Sequence, residues 1–60
     1  MIKVGQKVRF RKINVVHYGT VNFVHPTHRW FNVKHGDDEY EWLTGFKFDE
    51  IGKTVRIIKE

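Results

Sequence analysis

Between Arg29 and Leu43 the chain reads RWFNVKHGDDEYEWL, two alternating segments on either side of Gly36-Asp37. A Gly-Asp step between alternating segments signals a β-hairpin, because glycine supplies the positive φ that twist-matched two-residue turns need. Such a turn pairs His35 with Asp38, Lys34 with Glu39, Val33 with Tyr40, Asn32 with Glu41, Phe31 with Trp42 and Trp30 with Leu43. Successive strand residues point to opposite faces. Phe31, Val33, Tyr40 and Trp42 are therefore expected in the core, and Asn32, Glu41 and the Lys34/Glu39 charge pair outside. Trp30 and Leu43 fall on the polar face, against the pattern.

Sixty residues without a cysteine leave no disulfide and no thiolate cluster to supplement a small core. Stability then depends on nine aromatic side chains and the aliphatic ones. The first ten residues, MIKVGQKVRF, carry charges every few positions and lack the apolar run of a signal peptide or membrane span. One soluble domain over residues 1–60 is expected, without a membrane partner and in a cytoplasmic setting.

The net charge of +4 is unevenly laid out. Residues 1–36 hold seven Lys/Arg and no acid, whereas residues 37–60 hold seven Asp/Glu and four Lys/Arg. A basic part followed by a mildly acidic one concerns partners more than fold.

Along the chain, residues 7–12 read as a first strand, with Lys7, Arg9 and Arg11 on one face and Val8, Phe10 and Ile13 on the other. Asn14 to His17 reads as a loop, with a strand extended through Val15-Val16 as the alternative. Tyr18 to Val24 is a second strand with Val21 and Phe23 inward, and Gly19 marks a bulge or close backbone approach. Pro26 places a turn between Val24 and Arg29. A three-residue loop, Pro26 to His28, pairs Phe23 with Phe31, Val21 with Val33, Asn22 with Asn32 and Val24 with Trp30. After Thr44-Gly45, Asp49 to Gly52 reads as one helical or 3-10 turn, and Thr54 to Ile58 as a last strand with Val55 and Ile57 on one face. No segment sustains a 3.6-residue period. The fold class is all-β, five short strands that fit a small closed or half-closed barrel.

Four motifs carry a family resemblance: G-x-x-V at Gly5 to Val8, Y-G-T-V at Tyr18 to Val21, F-x-V at Phe31 to Val33, and F-x-x-D/E-I around Phe48 to Ile51. Together they resemble SH3-like barrels, in particular the KOW/Tudor-like and photosystem-E-subunit-like group with its short turn before the last strand. The resemblance spans most of the chain. It implies a five-stranded, strongly bent barrel with a 3-10 turn before its last strand, and a non-catalytic binding role. Such barrels bind nucleic acid, methylated or proline-rich peptides, or larger proteins. The chain lacks the acidic loop with aromatics and prolines of peptide-binding SH3 domains, and has no four-aromatic cage. In style it also resembles small bacteriophage proteins.

The outer face of the first three strands is the first candidate site, for nucleic acid, either DNA or RNA. Lys7, Arg9, Arg11 and Lys34 neutralise phosphates there. Thr20, Asn22 and Asn32 donate hydrogen bonds, and Trp30 offers a stacking surface. The plain alternative is a solvated strand face whose lysines and arginines discourage edge pairing. The second candidate is an apolar trio, Val24, Trp30 and Leu43, as an anchor for a larger bacterial protein. That reading makes the chain an adaptor or a phage-type inhibitor of a bacterial enzyme or defence complex. Self-association into a homodimer through the trio, or burial of the trio under Phe46 or Phe48, are its alternatives.

No other chemistry is indicated. His17, His25, His28 and His35 lack cysteine partners and a zinc-like spacing, and are expected to face solvent in loops. The carboxylates Asp37, Asp38, Glu39 and Glu41 crowd a hairpin tip without a cleft to perturb them. There is no serine or cysteine nucleophile and no Gly-rich phosphate loop, so neither catalysis, nor a metal, nor a cofactor is expected.

Overall fold

The computed structural model describes residues 2–37 and 39–58. Five strands and one 3-10 turn follow in chain order: β1 (Lys7–Lys12), β2 (Val15–Val24), β3 (Trp30–Gly36), β4 (Glu41–Lys47), the turn Phe48–Glu50, and β5 (Val55–Ile57). All neighbours are antiparallel in a single sheet of order β4-β3-β2-β1-β5. No helix among the described residues is long and apolar enough to cross a membrane.

The alternation of β1 acts as expected. Val8 and Phe10 are buried while Lys7, Arg9 and Arg11 are exposed. The core is Ile2, Val8, Phe10, Val21, Phe31, Val33, Phe46 and Val55, with Val24, Phe48, Ile51 and Ile57 packed against it. Phe46 on β4 and Val55 on β5 come from opposite ends of the strand order, so the sheet curls around its own core. Each such large apolar side chain contributes about 1.5–3 kcal/mol when fully buried.

The hairpin of β3 and β4 has a different register from the expected one. Phe31 pairs with Phe46, Val33 with Thr44, Lys34 with Leu43 and His35 with Trp42. Asp37 is the cause. Its Oδ1 accepts the backbone N–H groups of Glu39 and Tyr40, each at 2.9 Å, and its own N–H donates to the Tyr40 carbonyl. This Asx-type turn lengthens the loop to residues 37–40 and slips β4 by four positions. Gly36, at φ 135°, closes the loop where a Cβ would strike the Tyr40 carbonyl. Tyr40 and Trp42, expected in the core, are exposed, and Phe46 takes the buried place. Lys34 pairs with Glu41 at 3.1 Å rather than with Glu39. The expected partner of His35, Asp38, lies outside the described residues.

The turn between β1 and β2 also differs. Lys12 pairs with Val15 around the two residues Ile13-Asn14, at φ 50° and 59°. That is the left-handed, twist-matched hairpin turn, so Val15, Val16 and His17 are strand and not loop. Asn14 suits it. A β-branched residue at positive φ does not, and costs about 1–2 kcal/mol. Ile13, expected inward, is 86% exposed there.

Between β2 and β3, Val21 pairs with Val33 as expected, but the register then shifts to Phe23↔Asn32 and Val24↔Phe31. A β-bulge at Asn22 absorbs the extra residue, and the loop beyond runs from Pro26 to Arg29, closed by His25 N–H to the Trp30 carbonyl at 3.0 Å. The bulge turns Phe23 outward and Val24 towards the core, the reverse of the expected sorting. Gly19 is a close backbone approach. A Cβ there would lie 2.5 Å from Val33 Cγ1 and 2.7 Å from the Lys34 carbonyl oxygen.

Candidate nucleic-acid interface

β1 is flanked by β2 on one side and β5 on the other, so its outward side chains have neighbours on both. Arg9 pairs with Tyr18 on β2 and with Arg56 on β5. Strands lie about 4.8 Å apart, which makes Arg56, Arg9 and Tyr18 one continuous row across the outer face. Lys7 stands one step along on β1 and donates to Thr20 Oγ1 at 3.1 Å, while Arg11 stands one step the other way, opposite Val16.

Two like charges directly opposite each other on neighbouring strands are unfavourable by roughly 0.2–1 kcal/mol unless something offsets them. Among the described residues the single ion pair is Lys34–Glu41, so none joins a carboxylate to Arg9 or Arg56. Arg9, Arg11, Lys53 and Arg56 line one surface depression that has no carboxylate among its lining residues. Tyr18, 65% exposed beside the two guanidinium groups, offers a flat ring to solvent.

Of the residues expected on this face, Lys7, Arg9 and Arg11 are brought together. Lys34 shares the row of Lys7 and Thr20, but its ammonium is held by Glu41. Trp30 lies elsewhere. It pairs with Lys47 at the far end of β3, four residues and about 13 Å along the strand from Lys34. There it sits between Phe23 and His25, at ring distances of 5.2 and 5.4 Å, and is 38% exposed. Asn22 is exposed in the bulge, and Asn32 is half-buried opposite Gly45. Neither joins the basic row.

The apolar trio does not assemble. Val24 packs against the core, Leu43 stands exposed opposite Lys34, and Trp30 stands opposite Lys47.

Sequence reasoning missed Tyr18, Lys53 and Arg56. Arg56 was signalled by its place between Val55 and Ile57, which turns it outward. The position of Tyr18 follows from the Ile13-Asn14 turn once that turn is recognised.

His28 is exposed in the β2–β3 loop as expected and His25 lies half-buried in it, but His17 and His35 are half-buried strand residues on β2 and β3. His17 stacks on Phe10 at 5.3 Å, and His35 meets the same ring edge-on at 4.8 Å. The two imidazoles lie 5.6 Å apart, and His35 Nε2 is 2.6 Å from Thr44 Oγ1. Burial, then the neighbouring His17 and Lys12, hold His35 below the usual histidine pKa. His25 Nδ1 accepts the Thr27 N–H at 3.2 Å, and His28 stacks on Phe48 at 5.3 Å. No group of three or more His, Cys, Asp or Glu among the described residues is arranged to hold a metal ion.

Comparison of the chain with protein-family models, curated proteins and solved structures finds no match.

Proposed function

We propose that the chain is a small SH3-like barrel acting as a non-catalytic binding module for nucleic acid, through the outer face of β1, β5 and the first half of β2. The fold reading is supported by the strand order β4-β3-β2-β1-β5 and by the 3-10 turn before β5. The functional reading is carried by the row Arg56–Arg9–Tyr18, two facing cations and an exposed ring. A phosphate between Arg9 and Arg56 removes their mutual repulsion, with Arg11 and Lys53 bordering the same depression. Tyr18 lies one strand spacing away and stacks a base whose own phosphate is so held. Stacking tolerates any base, so the module reads backbone and unpaired bases rather than a defined sequence. The acidic hairpin tip at residues 37–41 repels the polymer and confines it to the basic side.

Fluorescence anisotropy with labelled single-stranded DNA and RNA oligonucleotides tests this. Affinity is expected to fall with a log–log salt slope of about −2 to −3, the value for three or four neutralised phosphates on a single strand. Tyr18→Ala is expected to cost about 1–3 kcal/mol with that slope unchanged. An absence of binding at low salt overturns the reading.

A further inference from the structure

The inner face of the sheet continues past the sealed core. On β1 and β2, Lys12, Val15 and His17 follow Phe10 on the core side, and on β3 and β4 so do His35 and Trp42. These two hairpins form the banks of a cleft of about 490 Å³, with predominantly apolar walls. Trp42, 53% exposed, stacks on His35 at 6.1 Å and on Tyr40 at 6.0 Å, which extends the aromatic row to the rim. Ile13 stands at the opposite rim, 86% exposed in its left-handed turn.

The banks differ in charge. Lys12 lies on the β1–β2 bank and Arg11 precedes it, and no carboxylate lines the cleft. The β3–β4 bank ends in the tip that carries Asp37, Glu39 and Glu41, all exposed. Cationic-apolar and anionic-aromatic surfaces therefore stand side by side on one molecule.

We propose that this cleft is the interface for a second copy of the chain, related by a two-fold axis running along it. Such an axis sets each basic bank against the partner's acidic tip, and both Lys12–Glu39 approaches form at once because the interface is isologous. It also covers Ile13, Val15, Tyr40 and Trp42 in both copies, a cluster that a lone domain of this size leaves in water. The basic row of β1 and β5 lies on the outer face and remains open, so a dimer presents two polyanion sites.

Sedimentation equilibrium from micromolar to millimolar concentration tests the proposal, with circular dichroism confirming the fold of each variant. The wild-type chain is expected to dimerise. Ile13→Asn places a residue suited to positive φ in the turn, so the variant folds at least as well while its dimer dissociation constant rises about ten-fold or more. Lys12→Glu and Glu39→Lys are each expected to weaken the dimer, and their equimolar mixture to restore it as a heterodimer. A wild-type chain that stays monomeric overturns the proposal, as does a dimer unaffected by Ile13→Asn. A mixture that does not associate overturns the two-fold arrangement.

Discussion

Phe31 lies directly opposite Phe46 across β3 and β4, the two rings stacked with centroids 5.7 Å apart. Phe46 also meets Phe10 at 5.1 Å, so it links three strands of the core. Phe46→Ala is expected to cost about 3–5 kcal/mol. A chain of this length has only about 3–9 kcal/mol in total, so the variant loses a third or more of its stability. Trp42→Ala and Tyr40→Ala, on the exposed extension of the same face, are expected to cost under about 1 kcal/mol. Urea denaturation followed by circular dichroism separates the two classes. Equal losses at positions 42 and 46 would favour the shorter hairpin register.

Gly19 has no room for a side chain. The Lys34 carbonyl and Val33 occupy the place of its Cβ, at 2.7 and 2.5 Å, and Val33 is itself fully buried. Gly19→Ala is expected to destabilise by about 1–3 kcal/mol. Adding Val33→Ala relieves only one of the two clashes, so the double variant does not regain wild-type stability. Recovery to the level of Val33→Ala alone in urea melts would show that the backbone contact is unimportant.

The limits of β1, the Val21–Val33 pair and the outward set Lys7, Arg9 and Arg11 were legible because local alternation decides them. The β3–β4 register was not. A slip of four residues is even, so Phe31 facing Trp42 and Phe31 facing Phe46 sort the faces equally well, and alternation cannot choose. The choice belongs to the Asp37 carboxylate and its two backbone donors. The bulge at Asn22 is equally silent in the pattern, yet it exchanges Phe23 with Val24. The basic row was half legible for a similar reason. Tyr18 reaches Arg9 only through the Ile13-Asn14 hairpin turn, and Arg56 only through the long-range pairing of β5 with β1.

Arg56 and Lys34 make a matched pair of cations for the binding reading. Arg56 stands opposite Arg9, whereas the Lys34 ammonium is held by Glu41 at 3.1 Å. Arg56→Ala is expected to weaken oligonucleotide binding and to make the salt slope shallower by about 0.7, the value of one phosphate contact. Lys34→Ala and Trp30→Ala are expected to change both quantities little. Anisotropy titrations at several salt concentrations check this, and a loss from Trp30→Ala as large as that from Arg56→Ala would move the site to the other end of β3.

His35 gives the fold a pH dependence with a definite sign. Burial against Phe10, then the charges of His17 and Lys12, lower its folded-state pKa, while in the unfolded chain it titrates near the ordinary value of about 6.5. Below that value the unfolded state binds the additional proton and the native state does not, so stability is fully present above about pH 6.5 and is lost as the pH falls through the lowered value. The Thr44 hydroxyl does not oppose this, since it donates to a bare Nε2 and accepts from a protonated one. Asp37 adds a second window at lower pH. Its carboxylate, lowered by the N–H groups of Tyr40 and Glu39, contributes stability that is lost as the pH falls below the ordinary carboxylate value of about 3.9. Urea midpoints are therefore expected to decline in two separated steps on acidification. His35→Gln removes the upper step, and Asp37→Asn removes the lower one while its amide oxygen still accepts the turn's hydrogen bonds. A wild-type midpoint that stays flat from neutral pH to about pH 5 would mean that His35 is charged in the folded chain.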